Sequence, residues 1–328
     1  RQMWIRDRMY LNAQTWINEN KYQEAYAYAV KVIADGHYPL ASDYREIFLA
    51  DNNTCKEIIW PLVQDGLRAQ SSAGTNFYVK AFVNGPMDEL YKTGVGSRGW
   101  GNVRAKVSLV DAFDADDVMF DGNDTWGNNK KDKRAQFMTA LPNQVKDTWD
   151  VNMDMTSTFT CGYGYIKWRN VTKEDELCPS GDAYTSIDFP LFRTADAYLM
   201  AAEAILRGAN GTQSEALGYV NEVRTRAYMS GKYAKNGVRS DVSGEITANE
   251  LNLDFLLVER QKELASELTR RTDLIRFGKY TKGNNWDWKN GVRLGADVDD
   301  KYNLFPIPES ELTNNPTLVQ NDGYKVIK

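Results

Sequence analysis

Residues 96–113, GSRGWGNVRAKVSLVDAF, place a tryptophan between two glycines just before a stretch with a helical pattern. Glycines leave the backbone open, so this is a poor place to bury an indole. Sugar rings stack on flat aromatic side chains, while amide and guanidinium groups hydrogen-bond to sugar hydroxyls. We therefore predict an exposed platform at Trp100; the alternative, that its ring is a core piece of an irregular region, stays open at this point. The candidate binding residues are Trp100, Tyr78, Phe77, Asn76, Arg98 and Asn102.

Carboxylates are dense in DAFDADDVMFDGND, residues 111–124. A glycosidase needs two carboxyl groups held about 5–10 Å apart across a sugar bond, and clustering along the chain does not provide that arrangement. The closing glutamate of an EF-hand calcium loop is also missing. The single histidine, His37, nearly excludes histidine metal sites and serine or cysteine triads. We predict loop carboxylates and helix caps here, with no catalytic residue, cofactor or metal ligand.

Composition narrows the classes of partner. The net charge is −5, the isoelectric point is near 5.2 and no basic block stands out, which disfavours nucleic acid. No run approaches the ~18 apolar residues of a membrane-spanning helix.

Cys55, Cys161 and Cys178 show no CxxC spacing. A bridge between Cys161 and Cys178, which flank one irregular region, and three unpaired thiols are both open.

Two pairs of helices are predicted from apolar spacings of three and four residues. The first pair is MWIRDRMYLNAQTWI and NENKYQEAYAYAVKVIADG, with Gly36 as its stop. The second pair is FPLFRTADAYLMAAEAILRG, with Leu191 in its apolar stripe and Gly208 at its end, and TQSEALGYVNEVRTRAYM, with a capping box from Thr212 to Glu215. One such hairpin cannot bury its apolar face alone, so the pairs should stack as tetratricopeptide repeats do.

A further helix is predicted in ITANELNLDFLLVERQKELASELTRRTDLIRFG, starting near residues 247–249 and breaking near Thr269. Its charges recur at spacings of three and four, which is typical of ion pairs within and between helices. The expected partners on the preceding helix are Arg193, Asp196 and Glu203. The charged residues are Glu259, Arg260, Glu263, Glu267, Arg270 and Arg271.

Between the helical stretches, residues 61–188 are dense in glycine, asparagine, aspartate and serine, and the periodicity fades. Within them, TFTCGYGYIKWRNV alternates like a hairpin strand. We predict a mainly α fold, in which tetratricopeptide-like helical hairpins form a scaffold with a long, irregular, loop-rich insert. Long loops on a rigid scaffold are where binding sites concentrate.

Several segments together resemble the SusD/RagB family. They are KEIIWPLVQD, GWGNVRAKVSLVDAF, FRTADAYLMAAEAI, ERQKELASELTRRTDLIRFGKY and NLFPIPESELTNNPTLVQNDGY. In the last segment, Pro306-Ile307-Pro308 and Gln320-Asn321-x-Gly323-Tyr324 match the family's C-terminal signature. The resemblance covers essentially the whole chain. It implies one SusD-like domain, 1–328, without its N-terminal part; the expected parts are a hairpin (1–60), a ligand-binding insert (61–188), a helical scaffold (189–280) and a C-terminal segment (281–328).

This sequence departs from the family pattern in two ways. Family members are usually longer, with a lipobox cysteine and the first tetratricopeptide-like helices in the part that is missing here. Leu268 stands after Glu267 where the family usually has glycine.

The resemblance implies a surface lipoprotein of the outer membrane of Bacteroidetes. Such proteins bind oligosaccharides or polysaccharides without catalysis and deliver them to a SusC-like TonB-dependent transporter, and an N-terminal lipid anchor, not present in this chain, attaches them to the membrane. Trp100 matches a position that stacks on sugar in starch-binding relatives, and Tyr78 is carried over by its place in the preceding loop. Further candidates are Tyr163, Tyr165, Trp168, Trp286 and Trp288. The alternative function is a tetratricopeptide-like scaffold that binds proteins and no sugar.

Overall fold

The computed structural model describes residues 2–83, 91–118, 127, 129–139, 163–229, 243–283, 286 and 288–325. The chain forms two compact units, residues 1–268 and 269–328. Helices supply most of the regular structure in the described residues, as the sequence predicts. Within those residues, no helix combines the length and the apolar character that crossing a membrane requires.

The first unit opens with the predicted hairpin. Helix α1, Gln2–Ile17, packs on helix α2, Tyr22–Asp35. Helix α2 buries a stripe of residues spaced three and four apart, which is what one apolar face of a helix requires. It ends at Gly36, whose φ of 70° is left-handed and costs glycine little, so the predicted stop is confirmed. The buried residues of α2 are Tyr22, Ala25, Ala29 and Val32.

Short elements joined by turns lie within the insert and at its two ends. They are β1 (Ile58–Leu62), α3 (Thr75–Ala81), α4 (Val107–Val110), α5 (Ala115–Val118), β2 (Phe137–Thr139), β3 (Tyr163–Tyr165) and β4 (Phe189–Arg193). Strands β1 and β4 pair antiparallel, and so do β2 and β3. Strand β1 lies within KEIIWPLVQD, one of the segments that resemble the SusD/RagB family. Of the strand expected in TFTCGYGYIKWRNV, the structure describes residues 163–171 and shows β3; residues 158–162 lie outside the described part.

One predicted helix boundary is wrong. Leu191, expected in the stripe of a helix, lies in β4, and helix α6, Thr194–Leu206, begins only after Arg193. Pro190 keeps the residue before it out of the helical region, and pairing with β1 holds the segment extended. Helix α6 is rich in alanine, the strongest helix former, and it packs on α1, α2 and helix α7, Gln213–Met229.

The predicted capping box at the start of α7 is confirmed. The backbone N–H of Thr212 donates to Glu215 Oε2 at 2.7 Å, and the N–H of Glu215 donates to Thr212 Oγ1 at 3.1 Å. These reciprocal bonds satisfy donors that the first helical turn leaves without partners.

The next helix starts later than predicted. Helix α8 spans Leu253–Leu264, and the side chain of Asn252 caps it by accepting from the N–H of Phe255 at 2.9 Å. One turn earlier, Thr247 donates to Glu250 Oε2 from both its backbone N–H and its hydroxyl, but these bonds close a separate turn. The sequence therefore contains two cap signals, and tertiary packing selects the second. The predicted break near Thr269 is confirmed, because the following helix, α9, spans Arg270–Arg276.

Buried ion pairs join α8 to other elements, as the charge spacing predicts, and they also include an arginine of the insert, which the charge spacing does not predict. Glu263 of α8 accepts from Arg193 at 2.6 Å and from Arg134 of the insert at 3.2 Å, and it also pairs with Arg226 of α7. Arg193 also pairs with Glu267 at 2.7 Å. Removing one charged side chain from this network would leave another buried charge without its partner, which is strongly unfavourable. The network therefore favours one arrangement of the elements that it joins.

The predicted pairing with α6 is also confirmed. Arg260 of α8 lies 2.8 Å from the carboxylate of Asp196 and 4.0 Å from that of Glu203.

The second unit contains α9, short turns and helix α10, Glu309–Asn314. The family-like signature residues hold it together. The amide of Gln320 accepts from the N–H of Ile307 at 2.8 Å and donates to the Ile307 carbonyl at 2.9 Å. The hydroxyl of Tyr324 donates to the Leu304 carbonyl at 2.8 Å. These hydrogen bonds give the signature residues a structural role within the second unit.

Candidate functional site

Helix α3 places one aromatic side chain at the surface and the next one against the core. Phe77 is 42% exposed, whereas Tyr78 is half-buried, with its ring centroid 5.4 Å from that of Trp168 and 5.7 Å from that of Phe189. Lys80 follows Phe77 by three residues, which is the spacing of neighbours on one helix face. The helix thus anchors itself in the core through Tyr78 and leaves the Phe77 ring in contact with solvent.

Trp100 lies beside this helix and is 37% exposed, as predicted. Its ring centroid is 6.1 Å from that of Phe77, with the planes tilted by 59°. The chain is held there by backbone hydrogen bonds to the end of α3, from Trp100 N to Lys80 O at 2.8 Å and from Asn102 N to Ala81 O at 2.9 Å. Backbone groups therefore fix the position of the indole, and its side chain does not have to be buried to hold it.

A pocket of about 370 Å³ adjoins the tryptophan. Three separate stretches of chain supply its walls, around residues 72–80, 97–100 and 183–184. The pocket combines an aromatic side chain with hydroxyl and cationic groups, which is the mixture that binds polar ligands with apolar faces. The lining residues are Ser72, Lys80, Ser97, Arg98, Gly99, Trp100, Ala183 and Tyr184.

The two cations of the pocket differ in their surroundings. Arg98 is exposed, and its Nε lies 3.0 Å from Asp182 Oδ1. Lys80 is only 6% exposed, and its Nζ donates to the Ala183 carbonyl and lies 5.7 Å from the centroid of the Tyr184 ring. Burial, followed by repulsion from Arg98, lowers the pKa of Lys80. Attraction to Asp182 opposes these effects without reversing them, and the lining itself contains two cations and no carboxylate.

Gly96 makes the approach of Asp182 to this loop feasible. It has a φ of 53°, and a Cβ placed on it would lie 2.8 Å from Asp182 Oδ2. Glycine is required there because it tolerates both the left-handed backbone and the close carboxylate.

The structure brings together three of the predicted binding residues, Trp100, Phe77 and Arg98. Asn102 is exposed next to them but does not line the pocket. Tyr78 is half-buried, and burial raises the pKa of its hydroxyl. Asn76 is 2% exposed, and its amide donates to the Ser71 carbonyl at 3.0 Å. Asn76 is therefore placed beneath the surface, where it shapes the turn before α3 instead of facing a ligand.

Several aromatic candidates are corrected by their burial. Tyr163, Tyr165 and Trp168 are each 1% exposed and belong to the core, so the expectation of ligand contact was wrong for them. Trp286 and Trp288 are partly buried in the second unit, where Trp286 packs on Tyr280 at 5.7 Å between centroids.

Sequence reasoning missed four side chains of the pocket. Lys80 had a local signal, since it follows Phe77 at helical spacing. Ser72 and Ser97 had only their neighbourhood in glycine-rich and serine-rich loops. Tyr184 had none, because it is more than eighty residues away along the chain from Trp100.

The aspartate-rich segment is described only as far as residue 118. Asp117 is buried and accepts from the backbone N–H groups of Lys131 at 2.6 Å and Asp132 at 3.0 Å, which is a structural use of a loop carboxylate. Within the described ranges, no cluster of three or more histidine, cysteine, aspartate or glutamate side chains could hold a metal ion. Cys161 lies outside those ranges. Cys178 is a free, buried thiol whose Sγ lies 3.0 Å from Ser180 Oγ, which favours unpaired cysteines over a bridge from Cys178 to Cys161.

The sequence model of the SusD family matches residues 56–324. This chain belongs to the SusD family. A curated SusD relative is the starch-binding protein SusD of Bacteroides thetaiotaomicron, which is 32% identical over 98% of this chain and 59% of its own length. The SusD-like protein P25 of Formosa agariphila is 25% identical over 95% of this chain and 57% of its own length. The chain therefore spans somewhat over half the length of these relatives.

Solved structures of SusD-like proteins have the same fold. A SusD-like protein of Bacteroides fragilis superposes with a TM-score of 0.63, at 21% identity over 98% of this chain and 64% of that chain. Surface glycan-binding protein A of Bacteroides thetaiotaomicron, in complex with laminarihexaose, superposes with a TM-score of 0.61. It is 22% identical over 96% of this chain and 62% of its own. The mainly α, SusD-like fold predicted from the sequence is confirmed.

Proposed function

We propose that this SusD-family chain binds oligosaccharides at the surface formed by Trp100, Phe77 and the adjoining pocket. The observation that carries the proposal is an indole held by backbone hydrogen bonds and left 37% exposed at the edge of a polar pocket. The relative named as starch-binding and the solved structure with laminarihexaose support it.

The geometry favours stacking with adjacent hydrogen bonding. A sugar ring on the Trp100 face would bury apolar C–H groups against the indole, which is worth about 1 kcal/mol beyond the area buried. Hydroxyls of Ser72, Ser97 and Tyr184 and the guanidinium of Arg98 line the neighbouring pocket. An oligosaccharide can therefore stack one ring on Trp100 at the rim of the pocket and form hydrogen bonds with the groups inside the pocket.

As the family resemblance implies, we further propose that the protein acts at the outer surface of the outer membrane. There it hands the bound glycan to a SusC-like TonB-dependent transporter without cleaving it. A lipid anchor outside these 328 residues would hold it at the membrane.

The binding surface is tested by replacing the indole. Trp100→Ala should weaken binding in titrations against maltohexaose, laminarihexaose and plant and host glycans by about tenfold, because the stacking surface is lost. Trp16→Ala is the matched control, since Trp16 is 56% exposed on α1 and lies outside the pocket. Binding unaffected by Trp100→Ala, or weakened equally by both changes, would reject this surface.

A protein-binding scaffold is the second candidate, and the outer face of α1 favours it. Met9 and Trp16, seven residues apart on that helix, are each 56% exposed. Residues at this spacing lie on one helix face and suit an apolar partner surface. Capture of a partner protein that is lost with Trp16→Ala but kept with Trp100→Ala, together with no glycan binding, would favour the scaffold.

A further inference from the structure

The pocket beside Trp100 has an unbalanced charge. Its lining contains two cations, Lys80 and Arg98, and no carboxylate. Asp182 adjoins the pocket and is engaged by Arg98 at 3.0 Å. No carboxylate of the lining compensates the ammonium of Lys80, and attraction from the adjoining Asp182 is weaker than repulsion from Arg98.

Lys80 is buried with much of its hydrogen-bonding capacity unused. Among the described residues, its Nζ donates to the Ala183 carbonyl and faces the Tyr184 ring, and no carboxylate lies within ion-pair distance. An ammonium has three N–H donors, so donors remain toward the pocket. A buried charge without an ionic partner is unfavourable, which makes the site receptive to an incoming anion.

The neighbouring groups suit an anion carried on a sugar. Arg98 keeps a planar guanidinium at the pocket wall, and carboxylate and sulfate oxygens accept from such donors in short, charge-assisted hydrogen bonds. Trp100 and Phe77 lie next to the cations and supply the apolar surface on which the ring carrying the substituent would stack. Repulsion from Arg98, which helps to lower the pKa of Lys80, would be relieved by a bound anion.

We propose that this pocket selects glycans that carry an anionic substituent, a uronic acid carboxylate or a sulfate ester, with Lys80 as its principal contact. The inference rests on the proposed glycan binding and specifies its substrate class. Serine hydroxyls and the Tyr184 hydroxyl would then bind the sugar hydroxyls around the anion.

Matched pairs of probes test the proposal. Oligogalacturonate is compared with its methyl ester for the carboxylate, and sulfated carrageenan oligosaccharides with their desulfated forms for the sulfate; maltohexaose and laminarihexaose serve as neutral glycans. In calorimetric titration, at least one anionic probe should bind about tenfold more tightly than its neutralised counterpart, because a hydrogen bond to a charged group is worth more than a neutral one. The preference should shrink at high salt.

Substitutions at the two cations of the pocket distinguish an effect of their charge from an effect on folding. Lys80→Gln should abolish the preference, and Lys80→Arg should retain it. Arg98→Gln, at an exposed position, should reduce it without a change in thermal stability. Lys31→Gln removes one exposed charge from α2 and is the control that should leave the preference unchanged.

The possible results distinguish this inference from the proposed function. Equal affinity for charged and neutral members of both pairs, or an unchanged preference in Lys80→Gln and Arg98→Gln, would overturn the anionic selection and leave glycan binding intact. Binding of none of the probes would overturn both.

Discussion

At the scale of single residues, Leu268 has a backbone conformation that favours glycine. Its φ is 61°, and its side chain is 73% exposed. A left-handed conformation costs a residue with a Cβ about 1–2 kcal/mol, and an exposed side chain contributes little packing in return. The family resemblance places glycine at this position. The structure supplies the reason, because residues 265–268 form a turn in which Ser266 and Leu268 both have a φ of 61°.

Leu268→Gly is therefore expected to raise the free energy of unfolding by about 0.5–1 kcal/mol, since relief of strain outweighs the added freedom of the unfolded chain. Urea unfolding measures the change. Leu177→Gly is the control, because Leu177 is 56% exposed and is not among the residues with positive φ, so the same substitution should destabilise. Equal destabilisation by both changes would contradict the strain at Leu268.

At the scale of elements, Gln320 and Asn321 of the C-terminal signature form a clasp, in which their side chains hydrogen-bond to the backbone of an earlier stretch. Gln320 bonds to both backbone groups of Ile307, and the amide of Asn321 donates to the Phe305 carbonyl at 2.8 Å. The two stretches on either side of α10, residues 305–307 and 320–321, are thereby joined by side-chain hydrogen bonds and not by strand pairing. Backbone groups that lose such partners must find water or remain unsatisfied.

Gln320→Ala should open this clasp. The amide proton of Ile307 is expected to exchange with solvent about tenfold faster, because its acceptor is removed, and the second unit should lose about 1–3 kcal/mol of stability. Hydrogen exchange followed by mass spectrometry measures both effects. Val319→Ala, at the neighbouring position and 82% exposed, is the control that should change neither. An unaltered exchange rate in Gln320→Ala would show that the clasp does not hold this segment.

At the scale of the whole molecule, the ion network centred on Glu263 makes stability depend on pH. Burial disfavours its charge, but Arg226, Arg193 and Arg134 outweigh burial and lower the pKa of Glu263 to about 2. The unfolded chain has the ordinary glutamate pKa, near 4.5. Between these values the unfolded state binds a proton that the folded state does not. The contribution of Glu263 is therefore present above about pH 4.5 and is lost as the pH falls toward 2.

Glu263→Gln should reduce stability by about 3–5 kcal/mol at neutral pH, because three arginines lose their shared carboxylate. Between pH 4.5 and 2, the variant should also lose less stability than the wild type does. The loss that remains would come from other carboxylates such as Asp196, whose pKa is also lowered to about 2. Denaturant unfolding at a series of pH values measures both effects. Glu222→Gln, at an exposed position of α7, should leave the curve unchanged. An acid limb identical in wild type and Glu263→Gln would contradict the role of the network.

Local signals predicted the features that depend on near neighbours in the chain. The left-handed stop at Gly36 and the box between Thr212 and Glu215 need only contacts within a few residues, so composition and spacing were sufficient for them. The glycines around Trp100 likewise predicted an exposed indole. Leu191 shows the limit of such signals, because helical spacing was outweighed by pairing of its strand with β1.

The pocket was decided by tertiary structure. Ser72, Lys80, Trp100 and Tyr184 meet only because the insert folds back on α3, and no spacing along the chain records that meeting. The burial of Trp168 was decided in the same way, by the rings of Phe48 and Tyr78, which come from distant segments. The sequence alone determined helices and caps, since these rest on local hydrogen bonds and backbone preferences. It indicated an exposed tryptophan, but hydrogen bonds to the end of α3 fix the position of that residue. The charge and shape of the site rest on long-range packing, which only the folded chain contains.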